Sequence, residues 1–306
     1  MTYRILSIDG GGIRGVLSIT ILKRLQEKFP DFLSKIDLFA GTSTGGILAL
    51  ALASGKTPEQ ALKLYVEKGK DVFMDTPFDD IKEAFGLAGA EYSNTGLRTA
   101  LVDEFGNDMR LQDLKSRVLI SSFDLDNESV NAEIPQTWKP KFFHNFPGED
   151  NDGDQPVVDV ALRTAAAPTF FPIYQGYIDG GVVANNPSMC ALAQAVDKKT
   201  GKQRLSRVVL LSISTGGYPK YLPEMNGDWG LLKWGKNLID IMMEGSVEVA
   251  HYQCSRILGN RYHRIAPRLS RPIGLGNIDE IPALQKAGED YKLDVAIKFI
   301  EKHFSD

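Results

Sequence analysis

Cysteine, histidine and long apolar runs are scarce in this sequence. Two cysteines among 306 residues exclude a disulfide-rich scaffold and a thiolate zinc site. We expect Cys190 and Cys254 to be reduced thiols, with a single bridge between them as the alternative. The longest apolar run, residues 47–53, is much shorter than the roughly 18 residues that a membrane-spanning helix needs. The sequence therefore predicts no membrane span.

A surplus of positive charge is also missing. Lysine and arginine total 35 against 39 acidic residues, which gives a net charge of −4. This balance argues against a nucleic-acid polymer as a partner. No basic leader followed by an apolar segment opens the chain, so we expect no signal peptide. Without a signal peptide or a membrane span, we expect a cytoplasmic protein. A chain of 306 residues is long enough to bury a sizeable core.

Short apolar strands alternate with helical patterns along the chain. Strands are predicted at residues 4–8, 36–40, 117–123, 177–178 and 207–213. Helices are predicted at residues 16–28, 46–53, 158–166 and 186–200, and after a capping box at Thr57 and Gln60. This alternation predicts an α/β fold with a mostly parallel central sheet and helices on both faces.

No linker, charge block or internal repeat divides the chain, so we predict one domain over residues 1–306. The motifs discussed below lie within residues 4–216, and residues 217–306 are expected to form a mostly helical completion. Residues 129–155 are polar and irregular, which predicts a long surface loop or an excursion from the core.

The pentapeptide Gly41-Thr42-Ser43-Thr44-Gly45 follows a predicted strand and precedes a predicted helix. This context is typical of a nucleophile elbow, where a sharp turn lifts the serine hydroxyl off the sheet. Gly41 and Gly45 are expected there because the neighbouring backbone passes too close for a Cβ atom. The helix N-terminus favours negative charge that develops at the serine. A loop that only caps a helix or binds a phosphate is the alternative.

A glycine-rich segment at residues 9–15 also follows a strand and opens a helix. Gly10, Gly12 and Gly15 match a dinucleotide-binding fingerprint. That fingerprint needs an acid at the end of the second strand, whereas Asp37 lies at the start of that strand. Consecutive glycines can instead let amides converge on one oxygen, as an oxyanion hole requires. The serine motif after the neighbouring strand favours the oxyanion interpretation.

A nucleophilic serine needs a base, and no histidine has a suitable sequence context. His144 is the least implausible of the four. Asp179 is the better candidate because it ends a strand-like segment and is followed by Gly180 and Gly181. A partly desolvated aspartate has its charged form disfavoured and becomes a stronger base. A β-hairpin turn at this Asp-Gly pair is the alternative.

Four ordered motifs together resemble the patatin-like phospholipases over roughly residues 4–216. They are residues 9–15, residues 41–45, the Ala-Ala-Ala-Pro-Thr-Phe-Phe-Pro block at 165–172, and residues 179–181 followed by Asn185-Asn186-Pro187. The resemblance implies a lipid acyl hydrolase with a Ser-Asp dyad that needs no metal and no cofactor. A membrane lipid or phospholipid is the implied substrate.

Residue roles follow from the same resemblance. Ser43 is implied to be the nucleophile and Asp179 the base. The amides of Gly11 and Gly12, with Gly10 beside them, are implied to form the oxyanion hole. The motif's arginine is Arg14, for which a substrate phosphate or a structural carboxylate is the expected partner. Pro168 and its small neighbours are expected to pack near the dyad. The resemblance also makes a cyclic nucleotide a candidate regulator.

Two positions depart from the usual family pattern. Thr164 precedes the third block where serine is common, and Ser214-Thr215-Gly216 replaces a frequent Gly-Thr-Gly. We expect neither departure to touch the dyad.

Two apolar, glycine-rich segments are candidates for peripheral membrane contact. They are residues 85–90 and residues 227–235, the second with Trp229 and Trp234. Tryptophan favours the boundary between water and lipid. Packing in the core is the alternative for both segments.

Three other functions stay open at this point. An acyl-enzyme resolved by an alcohol would make the protein an acyltransferase. The glycine fingerprint leaves a dinucleotide-dependent oxidoreductase as a remote alternative, and an inactive lipid-binding module is another. A fluorophosphonate probe separates these classes, because only a hydrolase or an acyltransferase needs a reactive Ser43.

Overall fold

A mixed sheet lies at the centre of the fold in this computed structural model, which describes residues 1–72, 89–127, 129, 135–222 and 226–304. Its strands are β1 Tyr3–Ile8, β2 Leu38–Thr42, β3 Arg117–Asp124, β4 Lys139–His144, β5 Tyr177–Asp179, β6 Val208–Ile213 and β7 Tyr262–Ile265. The spatial order is β4-β3-β2-β1-β6-β7, and β5 pairs with β3. Strands β4 and β5 run antiparallel to β3, and the other pairs are parallel. The predicted mostly parallel sheet is confirmed.

Helices cover both faces of this sheet. The described α-helices are α1 Gly15–Lys28, α2 Thr44–Ser54, α3 Pro58–Val72, α4 Asn94–Phe105, α5 Val157–Ala165, α6 Gly181–Ala184, α7 Ser188–Val196, α8 Leu231–Leu258, α9 Ile281–Asp290 and α10 Asp294–His303. Alternate residues of the strands enter two separate apolar clusters: Leu6 and Ile8 pack in the larger one, and Ile5 in the smaller one with α7 and α8. Because both faces are buried, the central strands read as continuous apolar runs.

The capping box predicted after the second helix is present. The Thr57 amide donates to Gln60 Oε1 at 2.8 Å, and the Gln60 amide donates to Thr57 Oγ1 at 3.2 Å. These two bonds satisfy amides that the start of α3 would otherwise leave without partners. Helix α2 ends at Ser54. The next residue, Gly55, adopts the left-handed conformation with φ of 97° and caps the helix.

The prediction of a long surface loop or an excursion from the core over residues 129–155 is wrong for residues 139–144. Strand β4 lies there and pairs antiparallel with β3 along the sheet edge. An edge strand tolerates Pro140 and the flanking lysines because one side of its backbone has no partner strand. Its inward-facing Phe143 is buried and belongs to the larger cluster. Because lysines and proline are mixed with apolar residues, the sequence pattern did not predict this strand.

Residues 217–306 supply α8, α9 and α10, and also β7 at the sheet edge. The completion is therefore mostly helical but contributes one parallel strand beside β6. Leu284 of α9 and Ile300 of α10 pack in the same cluster as Leu6 and Ile8. None of the helices in the described part of the chain is long and apolar enough to cross a membrane.

Candidate active site

The sheet register brings Ser43 and Asp179 together. Strand β2 ends at Thr42, which pairs with Ser121 of β3. The next residue of β3, Ser122, pairs with Asp179 of the short antiparallel strand β5. Strand β5 therefore pairs with β3 directly after the point where β2 ends and α2 begins. Asp179 consequently lies beside the turn that carries Ser43.

Ser43 occupies a strained turn between β2 and α2. Its φ of 54° and ψ of −126° are unusual for a residue with a side chain. The Ser43 amide donates to Thr164 Oγ1 at 2.9 Å, which holds the turn from outside the pentapeptide. A Cβ atom on Gly41 would come within 2.1 Å of the Gly45 carbonyl oxygen. The turn therefore has the geometry expected of a nucleophile elbow.

Replacing Gly45 by valine is expected to prevent this turn from forming. A Cβ atom there would lie 2.3 Å from the Ile8 carbonyl oxygen and 2.5 Å from that of Asp9, so the backbone of β1 would have to move. We expect a loss of more than about 3 kcal/mol in unfolding free energy, measured by urea denaturation. Gly245→Val is the matched control, since nothing lies within 4 Å of a Cβ atom at Gly245. Equal stability of the two variants would contradict the tight turn.

Asp179 is buried beside Ser43. Its Oδ1 accepts the Gly181 amide at 2.6 Å. Burial raises the pKa of Asp179 to about 6, although the Gly181 amide and the Ser43 hydroxyl act to lower it. The Asp179 amide donates to the Ala166 carbonyl at 2.9 Å, so the third motif supports the strand that carries Asp179. Helix α6 begins at Gly181, which excludes the hairpin interpretation.

Each histidine has its contacts elsewhere. His144 lies in β4 opposite Leu119, with Nε2 3.5 Å from Asp150 Oδ2. His251 contacts Tyr262, and His263 packs against Phe299. His303 contacts the Asn260 carbonyl. None of these contacts involves Ser43 or Asp179, so the geometry supports a dyad rather than a triad.

The glycine loop faces the serine. A Cβ atom on Gly10 would lie 3.3 Å from Ser43 Cβ. The Gly10 amide donates to the Asn185 carbonyl at 3.0 Å and is therefore not free to bind an oxyanion. Among the described residues, the amides of Gly11 and Gly12 have no assigned acceptor. These two amides therefore remain free for the oxyanion role that the sequence predicts.

Arg14 binds the loop rather than a carboxylate. Its guanidinium donates to the Gly11 carbonyl at 3.3 Å and to the Gly216 carbonyl at 3.2 Å. These bonds tie the glycine loop to the segment after β6. Both acceptors are backbone carbonyls, so these contacts do not include the expected carboxylate partner, and contact with a substrate phosphate stays a prediction.

The expectation that the family departures avoid the dyad is wrong for Thr164. Its hydroxyl accepts the Ser43 amide and donates to the Ser121 carbonyl at 2.5 Å. Thr215 is also close to the site, since its hydroxyl donates to the Gly10 carbonyl at 2.8 Å. Threonine can replace serine at 164 because the hydroxyl alone makes both bonds.

Sequence reasoning missed a buried ion pair at the start of the glycine loop. Asp9 Oδ2 lies 2.5 Å from Arg264 Nη2, and Oδ1 accepts from Nη1 at 3.1 Å. Arg264 also donates to Ser212 Oγ at 2.7 Å. Burial lowers the pKa of Arg264, but the Asp9 carboxylate outweighs it and raises the pKa above its usual value. Strand β7 thereby anchors the residue next to Gly10.

Replacing Arg264 by methionine is expected to destabilise the fold by about 3–5 kcal/mol, because Asp9 would stay buried without its counter-charge. Arg271 forms a similar two-bond pair with Glu280, but its side chain is 59% exposed against 6% for Arg264. Arg271→Met should therefore cost less than about 1 kcal/mol. Chemical denaturation of both variants measures the difference, and equal losses would overturn this assignment.

The two membrane-contact candidates lie at the margin of the described structure. Residues 85–88 are outside the described residues. In the second segment, the rings of Trp229 and Trp234 pack 5.2 Å apart, and Trp234 remains 41% exposed. Within the described residues, no group of three or more histidine, cysteine or acidic side chains could hold a metal ion.

Comparison with known proteins identifies the family of this chain. A family model described as patatin-like phospholipase matches residues 6–192. Protein teg of Priestia megaterium is 32% identical, with 99% of each chain covered. A cGAMP-activated phospholipase of Escherichia coli is 36% identical over 70% of this chain and 62% of its own. One of Pseudomonas aeruginosa is 33% identical over 86% of this chain and 78% of its own. The chain belongs to the patatin-like phospholipase family.

Proposed function

We propose that this protein hydrolyses acyl esters of membrane lipids through an acyl intermediate on Ser43. The observation that supports this most directly is the position of Ser43, in a strained turn, beside the buried carboxylate of Asp179, whose pKa the Ser43 hydroxyl acts to lower. A serine hydroxyl is a weak nucleophile until a base takes its proton. Asp179 is placed to do so, and its raised pKa makes it a stronger base than an exposed aspartate.

In the acylation step, Ser43 Oγ attacks the carbonyl carbon of the ester while its proton moves to Asp179. The carbonyl oxygen gains negative charge and is stabilised by the amides of Gly11 and Gly12 together with the start of α2. When the tetrahedral intermediate collapses, the bond to the alcohol half of the ester breaks. The proton on Asp179 passes to this leaving group.

In the second step, water attacks the acyl-Ser43 ester and Asp179 takes its proton. The bond between the acyl carbon and Ser43 Oγ breaks, and the proton returns to Ser43. The products are a free carboxylic acid and the original enzyme. The same two groups therefore serve both steps, with the roles of base and acid exchanged.

The substrate class is proposed to be phospholipids, cleaved in the manner of a phospholipase A. This follows from family membership and from relatives named as cGAMP-activated phospholipases. The same names support a cyclic nucleotide as a candidate activator.

Peripheral membrane contact is proposed for the surface at and before α8. Apolar side chains exposed there are Tyr218, Tyr221, Leu222, Trp234, Leu238, Ile241 and Met242. Met243 of the same helix approaches within 3.2 Å of a Cβ position on Gly181, so this surface borders the dyad. Sedimentation with phosphatidylcholine vesicles tests the contact.

Two measurements test the proposed function. A fluorophosphonate probe should label the protein at Ser43, as shown by peptide mass spectrometry, and Ser43→Ala should abolish the labelling. A mass-spectrometric survey of products from mixed phospholipids should show free fatty acids and lysophospholipids. The survey is run with and without cyclic dinucleotides, since a requirement for an activator would otherwise hide the activity. Failure of both labelling and product formation would reject the proposal.

A further inference from the structure

One buried polar atom next to the dyad has no role in the mechanism above. Asn185 follows α6 and is only 8% exposed, yet its side-chain oxygen has no hydrogen-bond partner among the described residues. Buried amide oxygens are normally paired, because leaving one without a partner costs about 1–3 kcal/mol. An oxygen kept in this state beside a reactive serine calls for a ligand.

The position of this oxygen is defined from two sides. It lies 2.3 Å from the point where a Cβ atom on Gly10 would be, and Ser43 Cβ is 3.3 Å from the same point. On the other side, the Cβ point of Gly181 is 3.3 Å from Asn185 Oδ1 and 3.1 Å from Asp179 Oδ1. The Asn185 oxygen is thus close to both the serine turn and the base.

The main chain fixes Asn185 at this point. Its carbonyl accepts the Gly10 amide at 3.0 Å, which ties the residue to the glycine loop. Because Gly10 and Gly181 have no side chains, no side chain of theirs separates Asn185 from Ser43 and Asp179. The methyl group of Met243 also borders the Gly181 position but offers no hydrogen. A small donor placed there would face two acceptors, Asn185 and Asp179.

We infer that Asn185 Oδ1 accepts a hydrogen bond from the water that hydrolyses the acyl-enzyme, and so favours water over an alcohol as acyl acceptor. This inference rests on the proposed acyl-Ser43 intermediate. Water has two O–H groups: one proton moves to Asp179 as the oxygen bonds to the acyl carbon, and the other donates to Asn185. The bond from that carbon to Ser43 Oγ then breaks, and Asp179 returns its proton to Ser43.

An alcohol cannot use both acceptors. Its single hydroxyl proton must go to Asp179 when its oxygen attacks the acyl carbon, so nothing remains to donate to Asn185. The hydrogen bond to Asn185 therefore stabilises hydrolysis but not transfer to an alcohol. In this view Asn185 sets the balance between a hydrolase and an acyltransferase that share the same dyad.

The test uses 4-nitrophenyl butyrate with methanol present, and measures the ratio of methyl butyrate to butyric acid. Asn185→Leu keeps the approximate volume and removes the acceptor, so the ratio should rise by about tenfold, the effect of one neutral hydrogen bond. The rapid release of the first equivalent of 4-nitrophenolate should persist. Asn185→Asp keeps an acceptor oxygen and should stay near the wild-type ratio.

Asn186 provides the matched control. Its side chain accepts from the Ser188 amide at 3.1 Å and donates to the Val247 carbonyl at 3.3 Å, so its role is structural. Asn186→Leu should lower the melting temperature without changing the product ratio, because the ratio does not depend on how much enzyme is folded. Asn185→Ala replaces Asn185→Leu if the latter does not fold.

The outcomes separate the two proposals. A wild-type product ratio in folded Asn185→Leu or Asn185→Ala would overturn the role of Asn185. A changed ratio in Asn186→Leu would also overturn it, since a general disturbance would then be the cause. Absence of any acyl-enzyme on Ser43 in the wild-type protein would instead reject the proposed function.

Discussion

Ser43→Ala is expected to lower ester hydrolysis by at least about four orders of magnitude while the protein stays folded, since nucleophile and base act as one unit. In the proposed mechanism the side chain carries the chemistry, whereas the turn around it is held by contacts such as the bond from the Ser43 amide to Thr164 Oγ1. Steady-state turnover of a soluble ester measures the loss, and circular dichroism reports the fold.

The matched control is Ser54→Ala in the last turn of the same helix. Its hydroxyl only donates to the Ala51 carbonyl at 2.7 Å, so activity should remain close to that of the wild type. Substantial turnover by pure Ser43→Ala would show that another residue is the nucleophile.

Asp179→Asn is expected to be nearly as damaging, with a loss of about 10⁴-fold in turnover by analogy with other nucleophile–base pairs. Asparagine keeps the shape and can still accept the Gly181 amide, but it cannot take the proton from Ser43. Turnover of a soluble ester measures the effect. His144→Gln should retain most activity, because His144 pairs with Leu119 in β4. A defect in folded His144→Gln equal to that of Asp179→Asn would favour a triad.

The raised pKa of Asp179 also predicts how the activity and the stability of the wild-type protein depend on pH. The wild-type acylation rate should rise as the pH increases through about 6, because only the ionised carboxylate accepts the Ser43 proton. In the unfolded chain the carboxyl group ionises at its usual pKa of 3.8. The folded state therefore holds the proton more tightly, and this group lowers stability as the pH rises from about 4 to about 6.

Asp179→Asn removes the loss of folding stability that comes from ionising the buried carboxyl group, because asparagine does not ionise. At pH 7 it should be more stable than the wild type by up to about 3 kcal/mol, the equivalent of a shift of about two pKa units. An inactive protein that resists urea better than the wild type would tie the loss to chemistry rather than to unfolding. A variant less stable than the wild type at pH 7 would contradict the burial of an ionised Asp179.

Local patterns were enough to predict the fold class and the location of the candidate site. Each buried strand reads as a short apolar run because both faces of the sheet are covered, and helical spacing between the runs implies parallel crossovers. Since the carboxyl ends of parallel strands meet at one edge, the glycine loop after β1 and the Ser43 turn after β2 had to be neighbours. The strand-like segment and the two glycines around Asp179 made this residue the better candidate for the base, and the resemblance implied the same role.

Tertiary contacts decided the rest. Asp179 reaches Ser43 because β5 pairs with β3 where β2 stops, and no local periodicity encodes that register. Edge strand β4 escaped prediction because its unpaired side accepts proline and lysine. The partners of Asp9 and Ser43, Arg264 and Thr164, lie 255 and 121 residues away along the chain. Sequence by itself determined the central strands β1, β2, β3 and β6 and the edge at which the candidate site lies, whereas only folding decided which distant side chains meet there. Such contacts depend on packing between segments rather than on spacing within one segment.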